Sequence, residues 1–150
     1  MMQWVLAFAG GFLSTLVFHQ GLIGLLYWAD LAPSAPFAMD PVPPLGVPAV
    51  ISLAFWGGVW GCPVWWFVQR FRGFGYWLGG IGLGAVGPTA VALLVVFPLK
   101  GREVGLEMVP AGLMVNAAWG LGLVLMMYPW SRLRSKGVKL TGRNGTDHGS

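Results

Sequence analysis

Charged residues occur in short clusters that separate four long charge-free segments. No Asp, Glu, Lys or Arg occurs in residues 1–29, 41–69, 73–99 or 108–131. A charge at the centre of a bilayer costs about 2.5–3.5 kcal/mol on insertion scales, so this spacing is typical of membrane spans. Charged residues make up only 9% of the chain and hydrophobic residues 56%, whereas a soluble domain carries about 25% charged residues. Most of the surface is therefore expected to face lipid.

The charge-free segments predict four transmembrane helices. About 20 apolar residues cross the hydrocarbon core, and the spans are predicted at residues 3–28, 47–69, 76–98 and 110–130. Their apolar runs are continuous and lack the alternation of barrel strands. The predicted fold is an all-α integral membrane domain, a four-helix bundle over residues 1–134. Residues 135–150, which lack an apolar face, are predicted to be a disordered cytoplasmic tail.

The basic residues orient the bundle. Seven of the nine lie in the connection between the second and third spans or in the tail, and only Lys100 and Arg102 lie elsewhere. The positive-inside rule puts the seven in the cytoplasm, and an even number of spans then puts both termini there. The first span lacks a basic N-terminal flank, and its apolar run exceeds the roughly 7–15 residues of the hydrophobic region of a signal peptide, so we expect it to be retained. Topology accounts for the net charge of +4, and no nucleic-acid partner is predicted.

The second and fourth spans resemble each other at an offset of 62 residues. Val47-Pro48-Ala49 matches Val109-Pro110-Ala111, and Arg70-Phe71-Arg72 matches Arg132-Leu133-Arg134. With a one-residue slip Trp56-Gly57 also matches Trp119-Gly120, and more loosely Gly10-Gly11 matches Gly79-Gly80. The pattern predicts two tandem helical hairpins related by an axis along the membrane normal. Coincidence is the alternative, because proline at a helix start and arginine at a cytoplasmic end are both generic.

Small residues four positions apart predict the faces through which the helices pack. Such faces let helix backbones approach closely in lipid. The pairs are Gly57/Gly61, Gly80/Gly84, Gly10/Ser14 and Gly11/Thr15. They serve either packing within the bundle or contact with a homodimer partner or a larger membrane complex. Trp56, Trp60 and Trp119 lie deeper than the other tryptophans and are expected to pack against neighbouring helices.

Uncharged polar side chains gather in the outer, periplasmic half of the spans. The candidate intramembrane site consists of His19, Gln20, Ser52, Thr89 and Asn116. The first connection, residues 30–46, carries Asp30, Asp40 and five prolines. Its proline content and its apolar members predict a stiff loop that lies on the bundle or at the interface. The periplasmic half is therefore where function is expected.

His19 is the most informative single residue, because an ionisable group within the membrane is a functional hypothesis by default. It could ligate haem or another metal, take part in a proton or substrate pathway, or hydrogen-bond to Asn116, Thr89 or a backbone carbonyl. The other histidine is His148 in the tail, and the single cysteine, Cys62, is expected to be a buried small hydrophobe. We predict no metal and no cofactor. The sequence shows no nucleophile–base pair, phosphate-binding loop or zinc spacing, so no enzyme is predicted.

Four short stretches resemble a family of small, uncharacterised bacterial inner-membrane proteins. They are Phe18-His19-Gln20-Gly21, Pro43-Pro44-Leu45-Gly46-Val47-Pro48, Phe55-Trp56-Gly57-Gly58-Val59-Trp60-Gly61 and Pro98-Leu99-Lys100-Gly101. The resemblance covers residues 1–134 and implies a four-span protein of the bacterial inner membrane with no assigned activity. Two functions are open. One is a structural or accessory subunit seated through its glycine faces, and the other is a small dimeric transporter or channel-like protein with a periplasm-facing polar site.

Overall fold

Four long helices make up most of the described chain. The structure is a computed structural model and describes residues 1–101, 103–106 and 108–143. We label the helices α1 to α4. Their bounds are Met2–Trp28 (α1), Ala49–Val68 (α2), Phe74–Leu99 (α3) and Met108–Arg143 (α4). Two of them contain a π-helical segment, at Thr15–His19 in α1 and at Ala92–Val96 in α3.

Each helix is long and apolar enough to cross a membrane, so the predicted all-α fold with four candidate spans is confirmed at that level. The helices begin within two residues of the predicted positions. The C-terminal end differs from the prediction, because α4 continues to Arg143 through part of the segment expected to be disordered. Proline is absent after Pro129, and lysine, arginine and leucine favour helix there. Residues 144–150 of the predicted tail lie outside the described residues.

The helices pair as two hairpins. α1 packs along α2, α3 packs along α4, and α1 meets α4 where the hairpins join, whereas α2 and α3 touch less than these three neighbouring pairs. The largest fully buried side chains are Trp65 and Trp119, and Leu123 and Val124 pack with them. Many large apolar side chains point outward, among them Leu94 at 76% exposure. Such a surface suits lipid better than water.

The three deep tryptophans have different surroundings. Trp119 is buried and Trp60 is half-buried against the core, as expected. The expectation for Trp56 is wrong, because 58% of its surface is exposed and it points away from the bundle. A tryptophan at this depth therefore need not pack between helices when the surrounding medium is apolar.

The first connection folds back over the end of the bundle. Two short antiparallel strands, β1 (Pro41–Val42) and β2 (Val47–Pro48), pair within it. The first turn of α2 has backbone N–H groups without partners inside the helix. Ala49 and Val50 donate theirs to the carbonyls of Asp40 and Ala38, at 2.9 and 3.0 Å. The loop thus caps α2, which agrees with the prediction that it lies on the bundle.

Candidate functional site

Backbone contact between α1 and α2 defines the centre of the first hairpin. A Cβ atom on Gly11 would overlap the carbonyl oxygen of Gly57, and a Cβ on Gly61 would overlap that of Ala7. The predicted Gly57/Gly61 pair therefore faces Ala7 and Gly11 inside the chain. Close approach of this kind supplies van der Waals packing where lipid removes the hydrophobic driving force.

The second hairpin has the same kind of seam. A Cβ on Gly84 would lie 2.6 Å from Gly120 Cα, and a Cβ on Gly120 would overlap the carbonyl oxygen of Gly80. The Gly80/Gly84 pair thus packs against α4 of its own chain. Tyr76 closes this seam one turn further along, by donating its hydroxyl to the carbonyl of Val124 at 2.8 Å.

A polar cluster joins the two hairpins near the middle of the bundle. Ser14 donates its hydroxyl to the carbonyl oxygen of Trp119 at 2.6 Å, and the Trp119 indole donates to the carbonyl oxygen of Gly11 at 2.9 Å. Thr15 donates its hydroxyl to the same Gly11 oxygen at 3.0 Å. Ser14, Thr15 and Trp119 are all buried. We call Gly11, Ser14, Thr15 and Trp119 the central cluster.

Sequence reasoning did not identify the central cluster as a unit. The sequence signal for Ser14 and Thr15 was their pairing with Gly10 and Gly11, which predicts packing but names no partner. The bond from Trp119 to Gly11 joins residues 108 positions apart. It depends on the register between α1 and α4, which periodicity does not fix.

The π-helical segment begins at Thr15, the residue that follows Ser14, and ends at His19. A π-helical turn takes in one more residue than an α-helical turn and often lies at a functional site. His19 is half-buried, and its Nδ1 is buried without a hydrogen-bond partner among the described residues. Within those residues no group of three or more His, Cys, Asp or Glu side chains lies close enough to hold a metal ion.

Thr89 and Asn116 are the two predicted site residues that meet. The Asn116 amide donates to the Thr89 hydroxyl at 2.9 Å, across the interface between α3 and α4. Thr89 is 4% exposed, and a Cβ on Gly112 would lie 3.0 Å from its methyl group. These two side chains bond to each other, and His19 takes no part in the bond.

Gln20 bonds to the first connection and not to the other predicted site residues. It is 5% exposed, and its side-chain oxygen accepts the backbone N–H of Phe37 at 2.7 Å. Phe37 lies in the left-handed region with φ 58°, a conformation that an ordinary residue adopts at a cost. Pro36 packs beside Gly24, where a Cβ would lie 3.4 Å from the proline ring. The buried glutamine thus anchors the proline-rich loop to α1.

The remaining predicted site residues stay apart. Ser52 is half-buried in the first turn of α2. Asp30 and Asp40 are exposed on the first connection, and Asp30 has a positive φ of 56°. The five polar residues therefore share one half of the bundle without forming a single site.

The opposite end of the bundle carries two matching aromatic–arginine pairs. The Arg70 guanidinium lies 3.8 Å above the ring of Trp66, and the Arg132 guanidinium lies 5.0 Å from the ring of Tyr128. Arg70 also donates to the carbonyl of Trp66 at 2.6 Å, and Arg132 donates to the hydroxyl of Tyr128.

Comparisons with protein-family models, with curated proteins and with solved structures found no match to this chain.

Proposed function

We propose that this chain is a multi-pass protein of the bacterial inner membrane, with both termini in the cytoplasm, that serves as a structural or accessory subunit of a larger membrane complex. The observation that carries the proposal is the bonding of the polar groups inside the bundle. The central cluster, the Thr89–Asn116 pair and Gln20 all bond within this chain. Polar side chains that bond to each other leave little polar surface along which a solute could cross the membrane.

Duplication of a helical hairpin forms part of this proposal. At the offset of 62 residues, Trp66 and Arg70 match Tyr128 and Arg132, and each arginine contacts the aromatic ring four residues before it. The residue before each arginine, Gln69 or Ser131, donates to the carbonyl of that same aromatic residue. Equivalent contacts at equivalent positions support duplication over a chance match of generic residues.

The glycine faces bear on where a partner would bind. The four predicted packing glycines are used within the two hairpins, as described above. Gly82 differs, because a Cβ there would have no atom of the described residues within 4 Å. It lies on α3 between Leu78 and Val86, both more than half exposed. A partner helix could approach the backbone of α3 at this position.

The test compares Gly82 with Gly84, two residues away on the other side of the same helix. The tagged full-length chain is purified from membranes in a mild detergent, and the proteins that accompany it stoichiometrically are identified. We expect Gly82→Leu to lose the partner while the chain stays folded, and Gly84→Leu to unfold the chain itself. Isolation as a lone homodimer, or a partner retained by Gly82→Leu, would contradict the proposal.

The second candidate function is a small dimeric transporter or channel-like protein. The buried Nδ1 of His19 without a partner favours it, because water or a polar solute would satisfy that atom. The test is a cysteine at position 19 in a Cys62→Ala background, treated with a membrane-impermeant thiol reagent. Reaction at His19→Cys, with no reaction at a lipid-facing Leu13→Cys control, would support a water-filled path to this depth. Equal protection of both would remove the candidate.

A further inference from the structure

A cleft of about 600 Å³ opens at the end of the bundle where the arginine pairs lie, between the start of α1 and the end of α2. Its lining consists of Gln3, Trp4, Trp66, Gln69, Arg70 and Arg72. Both arginines are exposed. The acidic residues that the structure describes, Asp30, Asp40 and Glu103, lie on the connections at the opposite end of the helices. The cleft is therefore positively charged and has no carboxylate among the described residues to neutralise it.

The geometry of Arg70 prepares it to bind an anion. Its guanidinium is stacked on Trp66 and donates through Nη1 to the Trp66 carbonyl. A guanidinium carries five N–H donors in a fixed fork that matches the oxygens of a phosphate. Because the stack and the carbonyl bond fix the plane of the fork, less side-chain entropy is lost when an anion binds.

A second space, an apolar groove of about 240 Å³, shares the lining residue Trp66 with the cleft. It lies between α2 and α3, the two neighbouring helices that touch least, and is lined by apolar residues that include Trp60, Pro63, Phe67, Leu83 and Gly87. Gly87 leaves room for the edge of the Trp60 ring, since a Cβ there would lie 3.0 Å from it. Trp66 lines both spaces. One molecule with an anionic head and an apolar tail would fill both.

We propose that the cleft and the groove together form a binding site for an anionic phospholipid, whose phosphate contacts Arg70 and Arg72 and whose acyl chain lies along the groove beside Trp66. Basic pockets at the cytoplasmic ends of transmembrane helices have the chemistry to bind such head groups. A soluble anion would use the arginines but not the groove. A zwitterionic lipid would use the groove, but its head group carries a positive charge of its own.

The test is native mass spectrometry of the full chain in a non-ionic detergent, titrated with phosphatidylglycerol and with phosphatidylcholine of the same acyl chains. We expect tighter binding of phosphatidylglycerol. Each arginine near a membrane surface contributes about fivefold in affinity for an acidic lipid, so Arg70→Gln with Arg72→Gln is expected to weaken binding by about 30-fold. Glycerol phosphate, which has no acyl chain, is expected to compete poorly.

Arg132→Gln is the matched control. It makes the same substitution at one arginine of the same end of the bundle, but Arg132 bonds to Tyr128 and does not line the cleft. Equal binding of the two lipids, or an equal loss in Arg132→Gln and in the double variant, would overturn the proposal. Competition by glycerol phosphate at the same concentration as the lipid would show a site for a soluble anion instead. Binding in detergent does not depend on the orientation or the partner proposed above, so the two proposals fail separately.

Discussion

Gly10 and Gly11 are neighbours in α1 that face different surroundings. The nearest atom to a Cβ on Gly10 would be Leu123 Cδ1 at 3.5 Å, which is ordinary contact, whereas a Cβ on Gly11 would overlap the Gly57 carbonyl. We expect Gly11→Ala to lower the free energy of unfolding by about 1–3 kcal/mol, because the backbones of α1 and α2 must separate. Gly10→Ala should be neutral or stabilising by about 0.5–1 kcal/mol, because alanine favours helix.

The measurement is reversible unfolding in mixed micelles, followed by far-UV circular dichroism as the fraction of denaturing detergent rises. Both variants make the same chemical change one residue apart, so each serves as the other's control. Equal effects of the two would mean that α1 and α2 do not touch at Gly11.

Trp119 is the second residue whose role can be measured alone. Trp119→Phe removes the indole bond to the Gly11 carbonyl and leaves a small void, so we expect a loss of about 1–3 kcal/mol in the free energy of unfolding. Trp56→Phe makes the same substitution at an exposed position and should change it by less than about 0.5 kcal/mol. The same micelle titration measures both, and a larger effect at Trp56 would contradict the burial of Trp119.

At the scale of residues, the sequence predicted the burial of side chains better than their hydrogen-bond partners. It placed Trp119 against neighbouring helices correctly and Trp56 wrongly, since both are deep aromatic residues in apolar spans. It offered Asn116 or Thr89 as partners for His19, but these two bond to each other. A hydrogen-bond partner on another helix depends on how that helix is rotated about its axis, and in spans that are apolar all round the sequence gives little information on rotation.

At the scale of elements, the charge pattern predicted the helices closely because lipid penalises any charge within a span. It gave no sign of the π-helical segments. The segment in α1 starts beside the Gly11 carbonyl, which accepts bonds from the Thr15 hydroxyl and from Trp119 on another helix. Charges mark where a span ends but do not end the helix itself, and α4 continues beyond Leu133 through the basic residues that follow it.

The first connection is the element whose order depends on one side chain. Gln20→Ala removes the acceptor of the Phe37 N–H, so the loop loses its part-buried hydrogen bond to α1. A hydrogen bond contributes about 1 kcal/mol net, which corresponds to an exchange rate of the Phe37 amide about fivefold faster. Hydrogen–deuterium exchange with mass spectrometry of the loop peptides measures it. Ser52→Ala is the control. It removes a polar group from the first turn of α2 and should leave the exchange of the loop amides unchanged.

At the scale of the whole molecule, the hairpins are joined chiefly through α1 and α4. The central cluster lies in this interface, and Gly122 of α4 packs there against Ser14 and Phe18, so closely that a Cβ on Gly122 would overlap both side chains. The α2–α3 side is looser and holds the groove.

This arrangement predicts that the hairpins assemble without the covalent link at Gly73. Residues 1–72 and 73–150, expressed together as separate chains, should co-purify in a mild detergent, because helices that are stable individually in a bilayer associate through packing and polar bonds. Gly122→Ile in the second half should abolish co-purification, since the larger side chain cannot fit against Ser14 and Phe18. Gly82→Ile, on the same half but with open space around the new side chain, should not. Co-purification that survives Gly122→Ile would mean that the α1–α4 seam does not hold the halves together, and that the looser contact between α2 and α3 does.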